Sequence, residues 1–599
     1  MIKPTLTPND GHGRRSEEPV LSQIKWLWEN MDEKYHIRHI IALCISVFTA
    51  GLTLVNPALT QRLVDDVIVA QNAEPLMGIL MVMLVVKLGR EALRYLMVIF
   101  MEKNSQNVVY NLRLKLFSKL QYNDMRYFDK HRAGDLMTRM SGDLEWCRHF
   151  VSFINYRIID SSCLFLFTCI YLFSVSWKLT SLLIFVTPVL MLITKFYSSR
   201  VRPRFVAMRD RLSEMNAAAQ ENIAGNRVVK AFAREEYEKN CFDVKNEAFK
   251  QSHLRINKLW LSFYPFIELL ANAMMLITVF VGGLFIIKGE ITPGELAIFT
   301  GLSWALSNPM RELGNLLNEL QRFSTSAAKV QELYYATPSI VDAPDAVDHG
   351  RMKGKIEFRN VSYSFDTKKV IDDVSFVVEP GQTVAVMGPT GGGKTTLINL
   401  LSRFYDVSSG EVLVDDVNVK KWKLEQLRGG IGTATQDVFL FSDTVEGNVA
   451  FGNQDLTLDE VKDFANRAAA HDFIEKLSEG YDTIIGERGV GLSGGQRQRI
   501  ALSRALAVKP SILVMDDTTS AVDSETERYM QEQLRNLPFE CTKFIVAQRI
   551  SSMRDADLIL VIKDGRIIER GKHEELVKLR GYYYQTYALQ NDLPQEEAM

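Results

Sequence analysis

The sequence predicts a multidomain fold: an all-α polytopic membrane domain of six transmembrane helices with long cytosolic extensions, followed by an α/β domain. Six apolar runs before about residue 325 are each long enough for a helix to cross a bilayer, which takes about 20 residues. Beyond them, short strand-like runs alternate with helical stretches, as in a largely parallel sheet. One glycine-rich loop stands between a predicted strand and a predicted helix.

The overall composition conceals this division into two halves. The 599 residues include 70 Lys and Arg against 72 Asp and Glu, a balance that gives no reason to expect nucleic-acid binding. The six cysteines are scattered without a C-x-x-C pair, so no metal or redox chemistry is assigned to them. No small-residue cleavage site follows the first apolar run, and a removable signal peptide is therefore not expected.

The membrane half is predicted to span residues 20–334, after a charged, turn-rich N-terminus of residues 1–19 that is predicted to be disordered. It opens with apolar residues at helical spacing from Leu21 to Met31. These indicate an amphipathic helix that lies in the membrane interface or, alternatively, docks on the protein. The six membrane spans are predicted at 37–60, 76–100, 151–175, 179–198, 259–288 and 293–321.

The loops between these spans predict the orientation of the chain. Those after the second and fourth spans are long and rich in Lys and Arg, whereas the other loops are short and contain few basic residues. By the positive-inside rule, the long loops and both termini face the cytosol of a multi-pass protein of the cell membrane. Helical turnovers are predicted in the long loops, near 127–136 and 225–233. Charges inside the apolar runs, Glu268 foremost, are expected to face a cavity.

The second half is predicted to contain a linker (335–354), an α/β domain (355–589) and a C-terminal tail (590–599). In the α/β domain, the apolar run Thr383 to Met387 precedes a loop that fits the pattern G-x-x-x-x-G-K-[ST]. Glycines let backbone N–H groups surround phosphate oxygens at a helix N-terminus, while the Lys reaches the β/γ-phosphates and the adjacent Thr binds Mg²⁺. The loop therefore predicts nucleoside triphosphate binding by Gly388, Thr390, Gly391, Gly393, Lys394, Thr395 and Thr396, with Thr395 also a Mg²⁺ ligand.

A second motif, Leu492-Ser-Gly-Gly-Gln-Arg-Gln-Arg499, places two glycines at a predicted helix start, which makes a second anion cradle. A chain with both motifs resembles the ATP-binding cassette (ABC) family. With the preceding spans, residues 20–589 resemble an exporter half-transporter. The resemblance implies that two ABC nucleotide-binding domains sandwich two ATP molecules, each between the phosphate loop of one chain and Ser493, Gly494, Gly495 and Gln496 of the other.

The resemblance also implies roles for other residues. An aromatic side chain would stack on adenine, and polar side chains would bind Mg²⁺, with one of them also sensing the membrane domain. One loop would communicate between the two ATP sites, and another would contact the cytosolic helix turns. The corresponding residues are Phe365 or nearby Tyr363 for adenine, Gln436 and Asp516 for Mg²⁺, Asp523 for communication between the sites, and Gly486 to Gly489 for the cross-loop.

Two residues depart from the family pattern. Asp517 stands where the family usually has a Glu that polarises the attacking water, and Gln548 where it usually has a switch His. Asp is one methylene shorter, and a misplacement of about 1 Å can cost about 10²-fold in rate. Gln548 can donate a hydrogen bond but cannot bring positive charge toward the γ-phosphate. These catalytic positions predict a degenerate site that binds ATP and hydrolyses it poorly.

The sequence therefore predicts one subunit of an ATP-driven exporter that works by alternating access. Its expected partner is a different half-transporter with the consensus Glu and His, whose site this chain's signature motif completes. The expected cargo is lipophilic or amphipathic, drugs by default, and Lys87 and Glu91 could contact it or pair with each other. A homodimeric lipid or peptide exporter with slow ATPase activity and an ATP-gated channel or regulator remain alternatives.

Overall fold

The computed structural model describes residues 19–366, 368–486, 489 and 491–591. Within them, the chain divides into two compact units, one from the described part of Met1–Tyr122 with Arg132–Ala336, and one from Asn123–His131 with the described part of Thr337–Met599. The predicted disorder of residues 1–19 falls, except for Pro19, outside the described residues. So do residues 592–599 of the predicted tail, and Glu487 and Arg488 of the predicted cross-loop.

The secondary-structure elements of the first unit are all helices in the described residues. Each predicted membrane span falls on one of six long helical stretches in the described residues, and two of these stretches contain wider, π-helical turns, three turns in all. A short helix, α10, stands at the second predicted turnover. The helices are α1 (Val20–Glu29), α2 (Glu33–Leu52), α3 (Val55–Arg62), α4 (Leu76–Tyr122), α6 (Ala133–Thr138), α7 (Leu144–His149), α8 (Asn155–Val175), α9 (Trp177–Ala224), α10 (Asn226–Ala231), α11 (Glu235–Ile287) and α12 (Pro293–Tyr334), and the π-helical turns are Leu63–Val69, Arg139–Asp143 and Phe150–Ile154.

Apolarity alone does not confirm the predicted count of six spans. In the described residues, two continuous stretches, Glu33–Val69 and Ala133–Val175, are long and apolar enough to cross a membrane, each with a mean hydropathy of 1.9. Met275–Ile287 is apolar but shorter. In α4, the charged residues among 87–94 interrupt the apolar run. The six-span count therefore stays a prediction.

Helix α1 docks against the end of α12. The side chain of Trp26 is only 3% exposed and meets the ring of Tyr334 edge to face, with 5.6 Å between centroids. The Gln23 amide donates a hydrogen bond to the carbonyl oxygen of Ser324, at 3.1 Å. Leu21, at the start of the helix, is 78% exposed. One face of α1 therefore packs on the protein, and its predicted place in the membrane interface stays a prediction.

The second unit is an α/β domain, as predicted, and its described strands form two sheets. A four-stranded antiparallel sheet has the order β2-β1-β4-β5, and a six-stranded sheet has the order β10-β9-β3-β8-β7-β6. In the larger sheet, only β10 runs antiparallel to its neighbour among the described pairs, which confirms the predicted largely parallel core. The strands are β1 (Ile356–Phe365), β2 (Lys368–Val378), β3 (Thr383–Met387), β4 (Ser409–Val414), β5 (Val417–Asn418), β6 (Ile431–Ala434), β7 (Ile512–Asp516), β8 (Thr542–Val546), β9 (Leu558–Lys563) and β10 (Arg566–Gly571).

Helices connect several of the strands in this unit. The short helix α5 stands at the first predicted turnover and belongs to this unit, where its Asp129 accepts a hydrogen bond from the Tyr405 hydroxyl at 2.7 Å. The helices of the unit are α5 (Met125–Lys130), α13 (Lys394–Leu401), α14 (Leu424–Gly429), α15 (Val445–Val449), α16 (Leu458–Arg467), α17 (His471–Ile474), α18 (Gly494–Ala507), α19 (Ser524–Arg535), α20 (His573–Leu579) and α21 (Tyr582–Gln590).

Candidate nucleotide-binding site

A cleft of about 300 Å³ lies where four parallel strands end. Strands β3, β6, β7 and β8 run in the same direction, so the loops that follow them emerge at one edge of the sheet. In open parallel sheets, ligands bind at this carboxyl edge. Of the residues predicted to form the site, the cleft is lined by Thr390, Gly391, Gly393, Lys394, Thr395, Thr396, Gln436, Asp516, Asp517 and Gln548.

The glycine-rich loop after β3 has a backbone that needs glycine at two positions. Gly388 and Gly393 have φ angles of 147° and 102°, in the left-handed region. A β-carbon on Gly388 would lie 1.9 Å from the carbonyl oxygen of Ile562, and one on Gly393 would lie 2.6 Å from the Ile371 side chain. The loop can therefore wrap tightly ahead of α13 only without side chains at these positions.

Lys394 begins α13 and reaches back over the loop. Its Nζ donates hydrogen bonds to the carbonyl oxygens of Gly388 and Pro389, at 2.8 and 2.9 Å. Burial lowers the pKa of this ammonium group, and the nearby carboxylates of Asp516 and Asp517 act in the opposite direction. The loop thus carries a localised positive charge at the cleft, which suits phosphate oxygens.

Thr395 and Asp516 form a pair of oxygen donors on the floor of the cleft. The Thr395 hydroxyl donates a hydrogen bond to Asp516 Oδ2 at 3.1 Å, and the Asp516 side chain is only 5% exposed. Burial raises the pKa of this carboxyl group, while the hydrogen bond from Thr395 lowers it. A hydroxyl and a buried carboxylate are hard oxygen ligands, and Mg²⁺ is typically bound by one or two such groups together with substrate phosphates. The residues present therefore fit Mg²⁺.

Asp517 also lines the cleft, in an unusual backbone conformation. Its φ is 49°, which Asp tolerates better than most residues. Its N–H donates to the carbonyl oxygen of Val546 at 2.8 Å, and its own carbonyl oxygen accepts hydrogen bonds from Ser520 Oγ at 2.9 Å and Gln498 Nε2 at 3.3 Å. Burial raises the pKa of the Asp517 carboxyl group. The main chain at this position is therefore fixed from three sides.

Two functional contacts around the cleft were not predicted from the sequence. Gln498 lies within the quoted signature string, and it ties α18 to the loop after Asp517. Arg549, next to Gln548, donates hydrogen bonds to the carbonyl oxygens of Ser520 at 3.0 Å and Val522 at 3.1 Å. A polar side chain on the buried face of α18 was the one sequence signal for Gln498. Arg549 gave no comparable signal.

The two aromatic candidates for adenine stacking differ in exposure. Tyr363 is 3% exposed, and its ring packs against that of Tyr405 with 5.6 Å between centroids. Phe365 is 42% exposed at the end of β1. Burial excludes Tyr363 as a stacking platform, whereas Phe365 keeps an accessible ring and stays the predicted one.

The signature residues do not join the cleft of their own chain. Ser493 caps α18, because its Oγ accepts a hydrogen bond from Gln496 N–H at 3.2 Å and its N–H donates to Gln496 Oε1 at 2.8 Å. Gly494 follows it at an exposed helix start. Asp523 caps α19 in the same way and accepts from Thr526 N–H at 3.0 Å. None of these residues, nor Gly495, lines the cleft that Lys394 and Thr395 help to form.

Comparison with known proteins identifies the family. Residues 39–310 match the ABC transporter transmembrane region, and residues 371–520 match the ABC transporter domain. An uncharacterized ABC transporter ATP-binding protein of Bacillus subtilis (strain 168), YknU, is 35% identical over 92% of this chain and 94% of its own length. The chain belongs to the ABC exporters. An ATP-dependent lipid A-core flippase of Syntrophus aciditrophicus (strain SB) is also 35% identical to this exporter, over 93% of this chain and 92% of its own length.

A solved structure supports the same assignment for the exporter's fold. The structure of a bacterial Atm1-family ABC exporter with ATP bound matches with a TM-score of 0.79 and 25% identity, over 92% of this chain and 99% of that one. This exporter is therefore a membrane protein in which a helical transmembrane domain precedes an α/β ATPase domain. Its transport is driven by ATP.

Proposed function

We propose that this ABC exporter is one subunit of a heterodimer and that its own nucleotide site binds ATP but hydrolyses it poorly. The observation that carries the proposal is the placement of Asp517 and Gln548. Both departures from the family pattern line the same cleft as Lys394 and Thr395. This shared lining supports the proposal that they lie beside the γ-phosphate and the attacking water, where their chemistry would bear directly on hydrolysis.

Neither Asp517 nor Gln548 can perform the chemistry of the Glu or the His that the family usually has at its position. The Asp517 backbone is fixed by hydrogen bonds, so the shorter side chain cannot recover its reach by a main-chain shift. A raised pKa strengthens the carboxylate as a base but does not move its oxygens closer to a water molecule. Gln548 stays neutral at every pH. Loss of a well-placed general base typically costs about 10²- to 10⁴-fold in rate.

ATP binding, in contrast, has its full set of residues. In this proposal, Lys394 and the loop N–H groups hold the phosphates, and Phe365 stacks on adenine. Thr395 and Gln436 bind Mg²⁺, with Asp516 holding its water ligands. Bound ATP supplies the phosphoanhydride bond and the binding energy that draws two nucleotide domains together. The remaining phosphate-loop residues proposed to contact ATP are Gly388, Thr390, Gly391, Gly393 and Thr396.

The signature motif is proposed to complete the partner's site. Ser493, Gly494, Gly495 and Gln496 open α18, whose N-terminus can accept a γ-phosphate from another chain. Ser493 and Gly494 are exposed, as a contact across two chains requires. Asp523, also exposed, is proposed to communicate between the sites. The partner would carry the consensus Glu and His and would perform most of the hydrolysis.

The transported compound is proposed to be amphipathic, and drugs are the default class. The membrane half contains ion pairs within its predicted spans, such as Arg157 with Glu312 at 2.7 Å. Buried or cavity-facing charges suit a cargo with a polar end. The six spans are proposed to cross the cell membrane with both termini and the nucleotide domain in the cytosol.

A homodimeric lipid exporter with slow ATPase activity is a second candidate. A relative covered over 92% of its length carries the name lipid A-core flippase, and it favours a lipid cargo. In a homodimer, both sites would contain Asp517 and Gln548, so hydrolysis would be slow throughout. The candidates therefore differ in whether a second kind of chain accelerates hydrolysis.

The full-length chain, purified alone and then with a candidate half-transporter that carries Glu and His, tests this proposal. We expect the lone chain to bind MgATP but to release phosphate below about 0.1 s⁻¹, which is 10²-fold under a typical turnover of about 10 s⁻¹. We expect assembly with the second chain to raise the rate at least tenfold. Phosphate release near 10 s⁻¹ by the lone chain would contradict a degenerate site. A stable homodimer whose slow ATPase is stimulated by lipid would favour the second candidate.

A further inference from the structure

We infer that Gln590, at the end of the C-terminal helix α21, is a positioning residue for the switch at Gln548. A single amide side chain bridges the main chain on both sides of Arg549. Gln590 Nε2 donates to the carbonyl oxygen of Gln548 at 2.8 Å, and Gln590 Oε1 accepts from the N–H of Ile550 at 2.9 Å. The inference rests on the proposed function, because it assumes that Gln548 contacts the γ-phosphate.

The two hydrogen bonds of Gln590 fix the orientation of its amide. Reversing the amide would set its oxygen against the carbonyl oxygen of Gln548 and its NH₂ group against the N–H of Ile550, and both bonds would be lost. Each partner is a main-chain group. The clamp therefore acts on the path of the chain between β8 and the next helical turn, whatever side chain stands at position 548.

Helix α21 gives this clamp a fixed base. Its Tyr583 is fully buried in a cluster with Met387, the last residue of β3, and Ala547, which directly precedes the switch residue. The Tyr583 hydroxyl also lies 2.8 Å from His573 Nδ1. At the start of the helix, the carboxylate of Glu569 accepts hydrogen bonds from the N–H groups of Tyr582 and Tyr583. Gln590 therefore projects from a helix anchored beside both the phosphate loop and the switch.

The switch main chain is linked on its other side to the loop after Asp517. Arg549 donates to the carbonyl oxygens of Ser520 and Val522, and its Nη1 lies 3.7 Å from the buried carboxylate of Glu527. A shift at Gln590 would therefore reach Gln548 through the backbone and the Ser520–Val522 loop through Arg549. Gln548 is neutral and can contribute to ATP binding only through a hydrogen bond, whose strength depends on the position of the side chain. The hydrogen bonds of Gln590 fix the main chain that sets this position.

The proposal predicts that loss of the clamp weakens only the interaction with the γ-phosphate. Full-length Gln590→Met protein keeps a side chain of similar size without the two bonds. We expect its affinity for MgATP to fall about three- to tenfold, which corresponds to the loss of one ordinary hydrogen bond, while its affinity for MgADP stays within twofold. Competition with a fluorescent nucleotide measures both. Gln585→Met, on the exposed side of the same helix, is the matched control and should leave both affinities unchanged.

Two further measurements separate positioning from general stability. Amide hydrogen exchange at Ile550 should accelerate in Gln590→Met and not in Gln585→Met, because Gln590 is the acceptor for that N–H. In a Gln548→Ala background, Gln590→Met should weaken MgATP binding no further, since the residue it positions is absent. Equal weakening of MgATP and MgADP in Gln590→Met, or no change in either, would overturn the inference.

The Gln548→Ala protein also distinguishes a failure of this inference from a failure of the proposed function. If Gln548→Ala lowers the preference for MgATP over MgADP and Gln590→Met does not, the positioning role alone is overturned. If Gln548→Ala leaves that preference unchanged, the proposed contact of the switch with the γ-phosphate is contradicted, and the role of Gln590 is overturned with it.

Discussion

At the residue scale, the clearest constraint is the lack of space around Gly388. A β-carbon there would lie 1.9 Å from the carbonyl oxygen of Ile562, which belongs to the neighbouring strand β9. Main-chain atoms in a sheet cannot move aside as a flexible side chain can. We predict that Gly388→Ala abolishes MgATP binding in a fluorescent-nucleotide assay, because the phosphate loop must shift away from its lysine.

The matched control for this substitution is Gly381→Ala. Gly381 also has a left-handed φ, of 78°, but a β-carbon there would meet nothing within 4 Å. It should cost about 1–2 kcal/mol of folding stability from the backbone conformation alone and leave nucleotide affinity unchanged. Equal loss of binding in the two variants would contradict the steric account.

The half-buried carboxylate of Asp517 predicts a pH dependence of stability. Burial raises its pKa above the unfolded value of about 3.9, so this group stabilises the fold fully below that value, and the contribution is lost as pH rises through the folded pKa. We therefore expect Asp517→Asn to raise the unfolding temperature of the nucleotide-free protein at pH 7.5. The gain should shrink as pH is lowered toward 4. A gain that is constant with pH would contradict this origin.

The site was predictable from sequence where its chemistry is local. The phosphate loop, Asp516, Asp517 and Gln548 each follow a strand whose apolar run is visible in the sequence, and parallel strands bring their ends together. The burial of Tyr363 was not predictable. The pairing of β1 shifts register between Phe358 and Val361, and a shift of this kind changes which residues face the core.

At the element scale, helix α1 illustrates a contact between segments far apart in sequence. Its apolar spacing predicted a helix but could not decide between membrane and protein as its partner. The contacts of α1 with the protein involve residues some 300 positions later, at the end of α12. The same limit applies to Gln590, whose partners lie 40 and 42 residues earlier in the chain.

The docking of α1 predicts a large effect of Trp26→Ala. Removing a buried Trp typically costs about 3–5 kcal/mol, and here it also removes the edge-to-face contact with Tyr334. The unfolding temperature of the purified transporter should fall clearly. Leu21→Ala, on the exposed side of the same helix, should change it by less than a degree or two. If Leu21→Ala destabilises the protein more than Trp26→Ala, the helix is held by the membrane rather than by α12.

At the scale of the whole molecule, the fold class and the order of the domains were predictable because apolar length and strand–helix alternation are properties of long segments. The number of membrane spans could not be established from apolarity in the same way. Charges at Lys87, Arg90, Glu91 and Arg94 interrupt the apolarity of α4, although the helix continues through them. Such charges are tolerated where they face protein or water, which sequence apolarity alone does not report.

The proposed six-span topology can be tested by cysteine labelling in cells. In a background without native cysteines, Asn72→Cys and Gly289→Cys lie in the loops after the first and fifth predicted spans, and a membrane-impermeant maleimide should label both from outside. Ala233→Cys, in the loop after the fourth span, should react only after the cells are permeabilised. External labelling of Ala233→Cys would contradict the predicted orientation.

The central claim is that Asp517 and Gln548 together limit hydrolysis at this chain's own site. The most direct test is the steady-state ATPase rate of the full-length chain, purified without its partner and carrying Asp517→Glu with Gln548→His, compared with the wild-type chain purified in the same way, at saturating MgATP. We predict a rise of at least tenfold, because the two substitutions restore the general base and the switch His that hydrolysis at this site lacks. A rate equal to that of the wild-type protein would contradict the claim.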